Sequence, residues 1–337
     1  MGIAINNSKT QDKESLIYSD VKGQGPIGSL VRELALRFPD EVRLDVPLSG
    51  YTTYRVGGPA AALCEPSDLN RLQEVVRWCQ HHQLPFRILG EGANVLVHDR
   101  GVDALVIRLN RCAGEIRREG TQVVAGAGAR LMDVVLFSET HSLSGLEQLA
   151  GIPGTVGGAL HMNAGAFGRE IGDVVESIIL LNQEGKIVEI PGKDARFGYR
   201  QAPGLENQIV LACRVQLRQG DRKALAEIRQ QILQRRSQRQ PLEFPSCGSV
   251  FKRPEGHYAG ALIEQAGLKG LRRGDAMVST KHANFIVNVG HASAADIFEL
   301  ILTVQETVYR NSGIWLEPEV QFWGFTREEL KRLRRAG

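Results

Sequence analysis

Most of the signatures that place a chain quickly are missing from this one. No run of about 18 apolar residues occurs, which excludes an ordinary membrane-spanning helix. The N-terminus lacks the basic-then-apolar order of a signal peptide, and Asn6 stands where a myristoylation signal carries Ser or Thr. The five cysteines, Cys64, Cys79, Cys112, Cys213 and Cys247, are scattered, odd in number and never spaced C-x-x-C. They fit a reducing compartment better than a disulfide framework, and a cytoplasmic location is expected. No H-x-x-x-H or Cys/His cluster appears, so no metal site is expected. Charge of one sign is lacking too. Forty-one basic residues against 38 acidic leave a net charge of +3, too little for a nucleic-acid partner. There is no Walker A sequence, no G-x-S-x-G elbow and no clean G-x-G-x-x-G between strand and helix. A P-loop enzyme, an α/β-hydrolase and a Rossmann NAD site are all poor fits.

What is present is an ordinary globular composition, 42% hydrophobic and 23% charged over 337 residues, enough for two or three domains. Residues 1 to about 26 are polar and aperiodic and read as a mobile extension. Ser67 is placed to cap a helix with Leu69, Leu72, Val75, Val76 and Cys79 on one face. Strands are expected at 84–89, 95–97, 104–109 and 209–217, with a hairpin of 178–181 and 187–190 around Gln183-Glu184-Gly185. A charged helix is expected over 222–239, another helix near 259–266, a strand over 284–289, and a long helix opened by Ser293 and stopped by Asn311-Ser312-Gly313. Strands and helices mix without βαβ alternation, which argues for α+β.

The 37 glycines cluster. Gly57-Gly58 follows Tyr54-Arg55-Val56. Gly90, Glu91, Gly92, Ala93 and Asn94 lie between two strands. Gly126 and Gly128 follow another. Gly151-Ile152-Pro153-Gly154-Thr155-Val156-Gly157-Gly158 opens a helix. One pair alone is a tight turn; four clusters together favour a dinucleotide cradle, because glycine lets backbone N–H groups approach a pyrophosphate.

Three further segments carry chemistry-bearing residues. Pro245-Ser246-Cys247-Gly248-Ser249-Val250-Phe251-Lys252 is a polar loop entering an apolar strand, able to hold a hydroxyl rigidly. Cys247 within it reads as a small packed residue rather than a reactive thiol. Phe197-Gly198-Tyr199-Arg200 sets a guanidinium beside aromatic bulk, suited to a carboxylate or phosphate. Leu316-Glu317-Pro318-Glu319-Val320 puts two carboxylates at a strand start, both solvent-exposed by default. His161 and His282 read as hydrogen-bonding residues near loops.

In order and spacing, these segments resemble the UDP-N-acetylenolpyruvoylglucosamine reductase family. The resemblance runs from about Tyr51 to Gly324. It also takes in Asn163-Ala164-Gly165-Ala166 and Lys281-His282-Ala283-Asn284-Phe285. It implies a two-subdomain FAD-binding fold of the vanillyl-alcohol-oxidase type plus a C-terminal α+β substrate domain. The boundaries expected are a partly disordered extension over 1–43, with a short amphipathic segment at Leu30, Val31, Leu34 and Leu36, the FAD-binding part over 44–220 split near 112, the substrate part over 221–326, and a tail over 327–337. The cofactors it implies are FAD and NADPH. The implied substrate is UDP-N-acetylglucosamine enolpyruvate, reduced to UDP-N-acetylmuramate for peptidoglycan. A monomer or weak homo-oligomer with no nucleic-acid or membrane partner is expected.

Carried over by motif, Ser249 is the proton donor, with Arg200 and Glu319 completing the catalytic set. The FAD contacts implied are Gly57, Gly58, Gly90, Glu91, Gly92, Ala93, Asn94, Gly151, Pro153, Gly154, Thr155, Gly157, Gly158, Asn163 and Gly165. Tyr199, Arg236, Arg239, Lys252, His282 and Asn284 are the implied substrate contacts, with Arg236, Arg239 and Lys252 at the UDP phosphates. Two departures stand out: Ala93 replaces a common Ser, and Gln201-Ala202 follows Arg200 where Asp-Ser is common. The tyrosine-bearing insertion of one branch is absent. Arg200 suits the enolpyruvyl carboxylate, and Glu319 beside it is expected to be protonated. Serine is a weak acid, so either its acceptor is strongly basic or a neighbour such as Lys252 polarises it. The rival readings are an oxidase on the same fold, which needs a base at the flavin, and a non-catalytic flavin or UDP-sugar binder, which has no use for all three residues.

Overall fold

A computed structural model describes residues 25–334. Helix α1 (Pro26–Arg37) starts with proline in its first turn and buries Val31 and Leu34. It packs on a four-stranded sheet ordered Val42–Pro47, Pro59–Cys64, Val102–Ile107, Phe86–Ile88. The first pair is antiparallel and the other two are parallel. The folded chain thus begins well before residue 44, because α1 has an apolar face to bury. The mobile extension expected over residues 1 to about 26 lies, as far as residue 24, outside the described residues. Helix α2 (Leu69–His81) buries Leu72, Val75, Val76 and Cys79 at helical spacing. Its cap is Asp68, whose side chain accepts from the Arg71 N–H at 2.9 Å. Ser67 lies one residue outside and instead donates its N–H to Glu41 Oε1 at 2.9 Å.

The first sheet closes at Ile107, and the second opens at Ile116. The second has five strands, ordered Ile187–Pro191, Val175–Leu181, Ile209–Gln216, Gln122–Gly126, Ile116–Glu119, and all its pairs are antiparallel. Helices α3 (Leu131–Thr140) and α4 (Val156–His161) connect its strands. Helix α5 (Arg222–Arg239) lies against this unit rather than with the residues that follow it. Its Ile232 joins the core shared by both sheets, and Arg229 pairs with Glu139 of α3 at 2.5 Å. The boundary expected at 221 therefore does not separate α5 from the FAD-binding side.

The third unit is built on a separate core, which also takes in Tyr54, Val56 and Leu96 of the first unit. It contains α6 (Ala259–Gln265), a sheet of Arg272–Arg273, Ala276–Val278 and Ile286–Asn288, and α7 (Ala294–Ser312). Ser293 and Asp296 cap α7 reciprocally, and Gly313, at φ 73°, ends it. The Asp99 carboxylate of the first unit accepts from the Ala294 and Ala295 N–H groups at 2.8 and 3.0 Å, holding α7 to it. Strand Gln321–Trp323 then pairs in parallel with Val95–Val97 of the first unit. Helix α8 (Arg327–Lys331) closes the described chain, with Glu329 paired to Arg100. The expected tail after 326 therefore begins as a capped helix fixed to the first unit. The fold is α+β, and this return places residues 317–319 against the glycine loops.

Candidate active site

A cleft of about 930 Å³ opens where the three units meet. Gly90, Glu91, Ala93 and Asn94 form one wall, and residues 151–155 with Gly157 and Gly158 form the other. The two walls touch closely: a Cβ at Gly90 would lie 2.4 Å from Thr155 Oγ1, so only glycine fits there. Thr155 caps α4 through the Gly158 N–H. Glu91 ties the walls together, with Oε2 accepting from the Gly154 N–H at 2.9 Å and Oε1 paired with Arg130 at 2.7 Å. Gly154 faces open space, where a Cβ would protrude. Arg236 flanks Gly151, and its Nε is buried without a hydrogen-bond partner; burial lowers its pKa. A long glycine-walled volume with an orphaned guanidinium N–H fits a dinucleotide such as FAD.

Eleven of the expected FAD contacts line this cleft: Gly90, Glu91, Ala93, Asn94, Gly151, Pro153, Gly154, Thr155, Gly157, Gly158 and Gly165. Gly57, Gly58, Gly92 and Asn163 lie behind it. At Gly58 a Cβ would meet the Asp99 carbonyl at 2.1 Å, so that glycine serves chain packing. Asn163 is buried and joins Glu170, the Gly198 carbonyl and the Gly172 N–H, bracing the loop that carries Arg200.

A second cavity of about 410 Å³ adjoins the first. Tyr199, Arg253, Tyr258, His282 and Asn284 line it, and Arg200, Ser249 and Glu319 line both. Arg200 sits in the left-handed region at φ 57°, a strained conformation held by the paired turn of Gly198 and Gln201. Its Nε lies 3.0 Å from Glu319 Oε1, an ion pair without the alignment of a hydrogen bond. One terminal nitrogen donates to the Gly165 carbonyl at 3.4 Å. The side chain of Glu319 is 14% exposed and that of Glu317 is 68% exposed. Burial raises the Glu319 pKa; Arg200 and Lys252 oppose the shift without cancelling it. The expectation that both carboxylates are exposed holds for Glu317 alone, because Pro318 bridges to Phe251 and turns Glu319 inward.

The substrate contacts expected from sequence divide. Tyr199 and His282 line the second cavity. Burial holds the His282 pKa low, and its Nδ1 accepts from the Asn284 N–H at 3.3 Å, so Nε2 carries the proton. Asn284 borders the same cavity, but its amide is turned to the Phe251 backbone. Arg236 stands at the first cavity, not the second, because α5 packs on the second sheet. Lys252 pairs with Glu317 at 2.5 Å, and Arg239 is exposed; neither lines either cavity. Arg253, whose guanidinium lies 4.1 Å over the Tyr258 ring, was not singled out from sequence, although the basic pair after the serine loop is its signal. Leu242 and Phe244, exposed apolar residues at the edge of the cleft, were also missed; an apolar pair inside a Pro-flanked loop marks them. Cys247 is buried, with its thiol pushed up to about 12 by burial, and it packs against Tyr54.

Comparison with known proteins agrees in both halves. Residues 60–191 match the FAD binding domain family, and residues 240–323 match the family described as UDP-N-acetylenolpyruvoylglucosamine reductase, C-terminal domain. The chain is 43% identical to the UDP-N-acetylenolpyruvoylglucosamine reductase of Limosilactobacillus fermentum, over 87% of this chain and 98% of that one. The Streptococcus thermophilus reductase of the same name is 43% identical, over 84% and 93%. The crystal structure of UDP-N-acetylenolpyruvylglucosamine reductase from Thermus caldophilus superposes with a TM-score of 0.72 at 38% identity, covering 84% of this chain and 99% of that one.

Proposed function

The chain belongs to the UDP-N-acetylenolpyruvoylglucosamine reductase family, and from that premise we propose that Arg200, Ser249 and Glu319 carry its reaction. That reaction is the FAD-dependent, NADPH-driven reduction of UDP-N-acetylglucosamine enolpyruvate to UDP-N-acetylmuramate, in peptidoglycan precursor synthesis. One observation carries the assignment: these three residues, and no others of the two linings, face both the glycine-walled cleft and the second cavity. A group that meets cofactor on one side and substrate on the other has to stand there. A non-catalytic binder has no need of a raised-pKa carboxyl, an arginine and a hydroxyl at that junction.

When bound, FAD supplies the hydride for the enolpyruvyl double bond. Arg200 binds the adjoining carboxylate and stabilises the charge that develops on it. Glu319 faces that same negative charge, which adds to burial in keeping its proton on, so it donates a hydrogen bond to the carboxylate. Ser249 Oγ delivers a proton to the carbon bearing the carboxylate, on one face only. Lys252 is engaged by Glu317, which favours a strongly basic carbon as acceptor over a polarised serine. Tyr199, Arg253, Tyr258 and His282 offer aromatic faces and N–H donors to the UDP-sugar in the second cavity.

We also place the enzyme in the cytoplasm as a monomer or weak homo-oligomer, serving wall growth and with it cell shape and division. In support, none of the five cysteines is paired and no described helix is long and apolar enough to cross a membrane.

The test separates the half-reactions. NADPH, added without oxygen, should bleach the visible absorbance of the flavin-loaded protein, and the enolpyruvyl substrate should restore it. Ser249→Ala should preserve bleaching and slow the return by roughly 10²–10⁴. Restoration by oxygen alone, with none by substrate, would support the oxidase reading instead.

A further inference from the structure

The segment that follows Ser249, bridged at Phe251 to Pro318, is held along both edges, and a side chain forms part of one edge. On the first edge, backbone meets backbone. The Glu319 N–H donates to the Val250 carbonyl at 2.7 Å, and the Lys252 N–H donates to the Glu317 carbonyl at 2.9 Å. On the second edge, the Val250 N–H donates to the Asn284 carbonyl at 2.8 Å. The ladder then continues through the Asn284 side chain. The Phe251 N–H donates to Asn284 Oδ1 at 3.0 Å, and Asn284 Nδ2 donates to the Phe251 carbonyl at 2.9 Å. The primary amide presents the acceptor and donor that a peptide of a neighbouring strand would present.

Val250, Phe251 and Asn284 are 0%, 2% and 7% exposed, so water does not replace these bonds. Ser249 is the next residue toward the loop, and Gly248 before it, at φ 81°, leads into a turn. The hydroxyl is therefore located by how firmly residues 250 and 251 are held.

We propose that Asn284 is a positioning residue for Ser249, clamping the Phe251 backbone so that the hydroxyl keeps its place relative to Arg200 and Glu319. This role replaces the direct substrate contact expected from sequence, and it rests on Ser249 being the proton donor. Aspartate at 284 keeps the acceptor for the Phe251 N–H but sets a carboxylate against its carbonyl. Leucine removes both bonds at similar volume. A reacting group displaced by about 1 Å loses on the order of 10² in rate.

The experiment uses flavin-loaded protein in the two half-reactions. Asn284→Leu should bleach with NADPH at the unsubstituted rate, while the return with enolpyruvyl substrate slows by roughly 10² and its solvent deuterium isotope effect rises. Asn284→Asp, which keeps one of the two bonds, should show a smaller loss in the same half-reaction, and it carries the test if the leucine variant fails to bind flavin. Adding Asn284→Leu to Ser249→Ala should slow the return no further, because the group being positioned is gone. The proposal is overturned if Asn284→Leu or Asn284→Asp slows both half-reactions alike, or if the loss is as large in the Ser249→Ala background. If Ser249→Ala itself leaves the return untouched, the assignment of Ser249 fails instead, and the two failures are told apart.

Discussion

The two cavities are built from different materials. The glycine-walled cleft is built of backbone: glycines at 90, 151, 154, 157 and 158, with Glu91 joining the two walls through the Gly154 N–H. The second cavity is lined by long side chains such as Arg253 over Tyr258 and Tyr199 under Arg200. A backbone wall fails when any atom is added to it. A side-chain wall fails when a particular group is removed. Arg200, Ser249 and Glu319 belong to both walls, so their loss should spare cofactor binding and still stop the chemistry.

Second only to Ser249→Ala, Arg200→Ala should slow substrate-dependent flavin return by roughly 10²–10³ while the dissociation constant for FAD stays unchanged. An equal loss of FAD affinity would erase the distinction between the two walls. Gly90→Val should act oppositely. Its Cβ lies 2.4 Å from Thr155 Oγ1, and overpacking of this kind typically costs about 1–3 kcal/mol. FAD binding, followed by flavin fluorescence, should weaken, and the melting temperature should fall.

Glu319→Gln sharpens the comparison through pH. The pKa of Glu319 is raised in the folded protein, so its protonated form is favoured below that value and lost as pH rises through it. Flavin return should therefore decline on the alkaline side in the unsubstituted protein, and the glutamine variant should lack that decline. An identical pH–rate profile in both proteins would remove Glu319 from the titration. The smallest effect is expected at His161, on the cleft wall, whose pKa burial lowers from 6.5. A depressed histidine stabilises the fold above its unfolded pKa and loses that contribution as pH falls. Stability measured by denaturant should drop below about pH 6.5, and His161→Gln should flatten part of that drop.

Much of the molecule was legible locally. The 3.6-residue spacing in α2 and α7, the Ser293 cap, the Gly313 stop and the hairpin of Val175–Leu181 with Ile187–Pro191 follow from neighbouring residues alone. Errors gathered where a residue's partner is remote. Asp68 rather than Ser67 caps α2, and the Ser67 N–H is taken up by Glu41, 26 residues away. Helix α5 has the sequence of a charged surface helix; the Arg229–Glu139 pair, the burial of Ile232 and the packing of Leu233 and Arg236 beside Gly151 show which unit it joins.

By itself, then, the sequence determined the α+β class, the order of the glycine segments, the family they resemble, and which arginine, serine and glutamate to watch. Those features rest on short-range spacing and on residue types whose chemistry is fixed. Tertiary structure alone decided that Glu319 is buried while Glu317 is exposed, that Arg236 faces the cofactor cleft, and that the Asn284 amide holds Phe251. It also joined Asn94 of the flavin loop to the Glu319 carbonyl at 3.0 Å across 225 residues of chain. Burial and pairing at that separation depend on how whole units dock, and residue spacing carries no record of docking.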